Sequence, residues 1–132
     1  MATSTKYIRD LITAIGFIPE NGKTNVYIKS YSKHSDYSIA VDFNKQKISY
    51  GDKIIKGNET SSNFSKDENF VDLECVDRLL EKGYKPENIY LEMVYPAGRK
   101  HSGNLDILVY DDDKKPFLMI ECKTWGDRKS VV

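Results

Sequence analysis

The chain has 132 residues, 39% of them hydrophobic and 30% charged, with 20 basic residues balanced by 20 acidic ones. That length and apolar content suit one small α/β domain with a modest core and exclude a two-domain arrangement. A net charge of zero excludes a global basic footprint for nucleic acid, so any such contact has to be local.

Near the N-terminus, Tyr7, Ile8, Leu11, Ile12 and Ile15 recur at helical spacing, and Gly16 supplies the left-handed residue that ends a helix. Segments 25–31, 37–43 and 47–50 then alternate apolar and polar residues, which predicts a half-exposed β-meander with turns at 34–36 and 44–46. Gly22-Lys23-Thr24 ends like a phosphate-binding loop, but Phe17 occupies the place of its first glycine, so that reading fails. Residues 51–64, rich in Gly, Asn, Ser and Lys, read as a loop.

Ser65 followed by Glu68 matches a capping box, and Gly83 stands where a C-terminal cap belongs. The spacing therefore predicts a helix over about Lys66 to Lys82. Leu73, Val76 and Leu80 form its apolar stripe, with Glu74, Asp77, Arg78 and Glu81 on another side. Segment 89–95 reads as a strand entering the core. Cys75 falls on the helix and Cys122 on a later strand. With no CxxC and no Cys/His cluster, they read as buried thiols in a reducing compartment. No signal core follows Met1 and no apolar run reaches transmembrane length, so a cytoplasmic protein without membrane contact is expected.

The last elements carry the chemistry. An apolar run from Leu105 to Tyr110 meets a polar turn, Asp111 to Lys115, and a second apolar run from Pro116 to Lys123, which predicts a β-hairpin. An ordinary register sets Asp106 nearly opposite Glu121, with directly opposed Cβ atoms roughly 5 Å apart. The period of two in a strand puts Lys123 on the same face as Glu121. Facing carboxylates repel unless a proton or cation compensates, and oxygen-only ligands suit a hard divalent ion such as Mg²⁺. The acidic tip Asp111, Asp112 and Asp113 needs only solvent.

Leu105-Asp106-Ile-Leu-Val-Tyr110 followed by Pro116-Phe-Leu-Met-Ile-Glu121-Cys-Lys123 resembles the D…ExK core of the PD-(D/E)xK nuclease superfamily. More narrowly, it resembles the N-terminal nuclease domain of the motor (R) subunit of type I restriction enzymes. The likeness runs from about Asn69 to Trp125. It includes the helix end Leu79-Leu-Glu-Lys-Gly-Tyr84 and the loop Ala97-Gly-Arg-Lys100, and it departs at Asn104-Leu105, where the superfamily's name has Pro.

The resemblance implies a restriction-endonuclease-like α/β (α+β) fold. A mixed central β-sheet flanked by helices would form the core over 65–125, behind an N-terminal helix and β-meander. Residues 1–132 would be a single nuclease domain at the N-terminus of a longer protein. The implied activity is Mg²⁺-dependent hydrolysis of DNA phosphodiester bonds in a restriction-modification system. Asp106, Glu121 and the backbone carbonyl of Cys122 would hold the metal, and Lys123 would orient the attacking water. A third acid would come from the preceding helix. Glu74 is the first choice because it borders the apolar stripe, with Glu68 and Glu92 as rivals.

Arg99 and Lys100, and less so His101, are placed to touch DNA phosphates. The implied partners are double-stranded DNA and the methyltransferase and specificity subunits of a restriction complex, with ATP used only by motor domains outside this chain. Two other readings stay open: the same nuclease module fused to a methyltransferase in a single-chain restriction enzyme, or a DNA-binding or assembly module that does not cut.

Overall fold

The computed structural model describes residues 5–35, 37–57, 62–65, 67–94 and 104–122. The first helical pattern forms α1 (Thr5–Ala14), which buries Ile8 and Ile12. It ends as the sequence predicts. Gly16 adopts a φ of 109°, its N–H donates to Thr13 O, and the N–H of Phe17 donates to Ile12 O. This pair of bonds satisfies carbonyls that the last turn would otherwise leave open.

The second pattern forms α2 (Glu68–Glu81). Its C-terminus repeats the device. Gly83 has a φ of 104°, and Gly83 N–H and Tyr84 N–H donate to Leu80 O and Leu79 O. The N-terminus departs from the expected capping box: Asp67 holds the cap position in a helical conformation, with no side-chain cap bond. Ser65 is instead captured locally, its amide and hydroxyl both donating to Asn63 Oδ1. Such side-chain turns compete directly with capping.

The alternating segments form an antiparallel sheet in the order β1 (Ile18–Pro19), β2 (Val26–Ser30), β3 (Ser38–Asp42), β4 (Lys47–Ser49). Ile39 and Val41 point inward while Ser38, Ala40 and Asp42 stay partly exposed, so the meander is half-exposed as expected. β5 (Ile55–Lys56), β6 (Ile89–Val94), β7 (Asn104–Tyr110) and β8 (Pro116–Ile120) make a second sheet. β5 runs parallel to β6 and the other pairs are antiparallel, which makes this sheet mixed.

Among the described residues the architecture is thus α+β with two four-stranded sheets, and the meander forms a sheet separate from the mixed one. β1 and β5 escape the sequence reading because two residues give no measurable periodicity. Among the described residues, no helix is long and apolar enough to cross a membrane.

One core joins these parts. Ile8 and Ile12 of α1, Ile39, Val41 and Ile48 of the first sheet, Leu73, Val76 and Leu80 of α2, and Ile89, Leu91, Ile107 and Val109 of the second sheet pack in a single cluster. The N-terminal end of α2 is also tied to the first sheet through a chain of edge-to-face rings. Phe70, Phe64, Phe43 and Tyr27 follow one another at centroid distances of 5.0, 5.6 and 5.7 Å, the spacing that aromatic quadrupoles favour.

At the hairpin tip, Asp111 Oδ1 accepts the amides of Asp113 and Lys115 at 2.9 Å, and Asp112 accepts from Asn88. The Asp triplet thus shapes a turn, as a solvated tip should.

Candidate functional site

The predicted hairpin register holds. Ile107 faces Ile120 and Leu108 faces Met119, so one further step would bring Asp106 opposite Glu121. On the other side of β7, Leu91 pairs with Ile107 and Met93 with Leu105, which brackets Glu92 opposite Asp106. Glu92 adopts a left-handed φ of 53°, a conformation that costs a non-glycine residue about 1 kcal/mol or more and is over-represented at functional sites.

β8 ends at Ile120, and there the chain departs from a continued ladder. Glu121 is exposed, while Cys122 is buried and donates its backbone N–H to Asp106 Oδ2 at 2.6 Å. A short bond to a carboxylate of this kind fixes the orientation of Asp106.

The helix contributes Asp72. One oxygen of Asp72, one of Asp106 and the sulfur of Cys122 all lie within 4.8 Å of one another. Asp72 is only 1% exposed, and neither of its carboxylate oxygens has a hydrogen-bond partner among the described residues. Burial pushes its carboxyl up to about 8, against the pull of the adjacent Cys122 thiol, and the charges of Asp106 and Glu92 add to the rise. Beside it the buried Tyr50 hydroxyl is also unpartnered among the described residues. Burial, then the charge of Asp72, holds that phenol well above its ordinary range.

Cys75, one turn along α2, sits with its sulfur 3.6 Å from that of Cys122. The shared hydrogen bond draws the Cys75 thiol down to about 7 and sends that of Cys122 upward.

Of the residues that the sequence singles out, the structure brings Asp106 and Cys122 together with Asp72. Asp106 is one of these three close donors. Glu121, with its exposed side chain, is not in the group of close donors among the described residues. Glu74 is not in it either: it pairs with Arg78 at 2.8 Å on the outer side of α2, where the Arg78 side chain is 70% exposed. Glu68 begins the first turn of α2. Lys123, Arg99, Lys100 and His101 lie outside the described residues.

Asp72 is the residue that sequence reasoning missed. Its signal was available, since it stands at i−4 to Val76 and i+3 to Asn69. An acid is thus embedded in the apolar stripe rather than bordering it.

Every one of these donors falls inside the span that resembles a known family. Residues 67–129, just under half of the chain, match the family model described as the type I restriction enzyme R protein N terminus. Over that span the chain is similar to those R proteins. The R-protein-like span takes in α2, the second sheet from β6 onward, and Asp72, Asp106, Cys122, Glu121 and Lys123 together. No curated protein and no solved structure matches the chain significantly.

The donor set fits a hard divalent cation in its two carboxylates. A buried acid with both oxygens unpartnered among the described residues, set against a second acid, needs either a proton or a cation. The Cys122 thiol contributes nothing to a hard ion.

Without metal, the proton takes that role, with a defined effect on stability. A carboxyl raised from 3.8 to about 8 in the fold keeps its proton where the unfolded chain has lost it. Stability is then fully present below about pH 4 and declines as pH rises towards about pH 8. In EDTA, Asp72→Asn should flatten this slope. Compared by urea denaturation at about pH 5 and about pH 8, the variant should gain about 4 kcal/mol on the wild-type chain. Parallel pH profiles for the two proteins would refute the assignment.

Proposed function

We propose that the chain is a divalent-metal-dependent endonuclease module of a restriction system, hydrolysing phosphodiester bonds of double-stranded DNA. The observation that carries this reading is the buried Asp72 carboxylate, without a hydrogen-bond partner among the described residues and set against Asp106, within the span similar to type I restriction enzyme R proteins.

Asp72 and Asp106 would hold the ion, and Glu121, the exposed first residue past the end of β8, would join them as a further ligand. A bound Mg²⁺ supplies acidification of its water and neutralisation of the charge on the phosphate. The Cys122 amide keeps Asp106 oriented. Lys123, two residues beyond Glu121, positions the attacking water and offsets charge as phosphorus becomes pentavalent. Its compact ammonium suits that task beside carboxylates. Arg99 and Lys100 would neutralise flanking phosphates, which the balanced overall charge leaves to local residues. DNA sequence choice would fall to a specificity subunit and protection to a methyltransferase of the same complex.

The reading is tested by incubating the protein with duplex DNA in Mg²⁺, in Mn²⁺ and in EDTA, together with calorimetric titration of Mn²⁺. Metal-dependent strand scission and one bound ion are expected. Scission that persists in EDTA, or an absence of Mn²⁺ binding, would overturn it.

A further inference from the structure

One sulfur, that of Cys122, and the carboxylates of Asp72 and Asp106 converge where α2 meets the end of the hairpin, with Cys75 beside Cys122. Cys75 follows Asp72 by three residues, a spacing that stacks side chains on one helix face. Its sulfur lies 3.6 Å from that of Cys122. Cys122 Sγ in turn lies within 4.8 Å of an oxygen of Asp72 and an oxygen of Asp106.

The sulfur separation distinguishes between kinds of pair. A disulfide requires about 2.05 Å. Two thiolates on one tetrahedral zinc ion, each about 2.3 Å from the metal, stand about 3.8 Å apart. The observed distance is that of two free thiols sharing a hydrogen bond, and a shared zinc ion would need them to part by only a few tenths of an ångström. The Asp72 carboxylate supplies an independent indication, because it is buried with neither oxygen partnered among the described residues.

We propose that Cys122, Asp72 and Asp106, whose donors lie within 4.8 Å of one another, form with the adjacent Cys75, whose side chain closes in on loading, a site for a thiophilic divalent cation of the zinc class. Ligand softness separates it from a hard-ion site, since thiolates select zinc and carry no preference for Mg²⁺. On loading, both thiols lose their protons to solvent and the sulfur lone pairs bind the ion, so affinity falls in acid. Asp72 and Asp106 serve both ions, so zinc excludes the ion of hydrolysis and acts as an inhibitor. That consequence rests on the nuclease reading above, whereas the site itself does not.

The test titrates the reduced, metal-stripped chain with Co²⁺ as a spectroscopic stand-in. Visible bands of a tetrahedral ion and a sulfur-to-cobalt charge-transfer band are expected, both abolished by added Zn²⁺. Loss of a second-sphere partner already costs 10- to 100-fold in metal affinity, so removing a ligand by Cys75→Ser should cost at least about 100-fold.

Cys75→Ala, checked by near-ultraviolet circular dichroism, should behave alike and guards against a folding artefact. Mn²⁺ affinity should change less than about threefold in both, because a thiol is a poor ligand for a hard ion. Absence of the charge-transfer band in the wild-type chain would overturn the site, as would Co²⁺ affinity undiminished by both cysteine substitutions. Intact cobalt bands without Mn²⁺ binding would instead retire the hydrolytic reading and leave the zinc-class site standing.

Discussion

Asp106→Asn should lower Mg²⁺-dependent DNA cleavage by at least about 1,000-fold, equivalent to some 4 kcal/mol of barrier. Asp106 lies between the helix acid and the hairpin, within 4.8 Å of Asp72 and Cys122 donors, and its Oδ2 is already fixed by the Cys122 amide. Asparagine keeps the shape and removes the charge, so the fold should survive while ion binding fails.

Asp72→Asn should act in the same way, and Glu74→Gln should not. Glu74 belongs to a largely exposed pair with Arg78, and such pairs contribute at most about 1 kcal/mol to stability and nothing to a site they do not touch. Single-turnover cleavage with calorimetric Mn²⁺ titration separates the cases. Cleavage by Asp106→Asn at the wild-type rate would sink the assignment. A Glu74→Gln variant as inactive as Asp72→Asn would return the third acid to Glu74.

What the sequence disclosed of this site follows from where local rules apply. The hairpin register depends on turn length and strand alternation, both local, and the pairing of Ile107 with Ile120 agrees with simple counting from the turn. Which helix acid joins Asp106 depends on the rotation of α2 against the sheet, and that is a tertiary quantity. The expectation that a bordering acid reaches the site favoured Glu74. The helix turns Asp72 inward along with Leu73 and Val76 instead. Glu121 shows the complementary limit: alternation predicts a face only while the strand lasts, and β8 ends one residue earlier.

The fold follows the same division. Gly16 and Gly83 announce the ends of both helices, because few residues but glycine accept a φ near 105° at low cost. The assignment of strands to two sheets, and the pairing of β5 with β6 across α2, depend on long-range contacts that periodicity does not encode. Asp77 was the least legible residue. Its spacing groups it with the solvated acids Glu74 and Glu81, yet it is 5% exposed.

Asp77→Ala should cost about 3 to 5 kcal/mol of stability, the effect of removing one partner from a buried ion pair. Lys29 Nζ donates to Asp77 Oδ1 at 2.6 Å and to Ile15 O at 2.6 Å, and Tyr31 donates its hydroxyl to the same Asp77 oxygen at 2.7 Å. The Lys29 and Asp77 side chains are 12% and 7% exposed. Burial works against the Lys29 ammonium, but the bonds and charges of Asp77 and Glu81 outweigh it and raise its pKa. Burial and then the bond to Asp77 likewise raise that of Tyr31.

Losing Asp77 strands both donors. Glu81 lies 2.8 Å from Lys29, with its side chain half-exposed, and can relieve only part of the deficit. Glu81→Ala should accordingly cost no more than about 1 kcal/mol. Urea denaturation of both variants at neutral pH distinguishes a buried clamp from a surface pair, and equal losses would refute the clamp. The clamp joins β2 to α2 five residues beyond Asp72, so the N-terminal meander, distant in sequence from the acids proposed to hold the ion, is anchored to the helix that turns Asp72 inward.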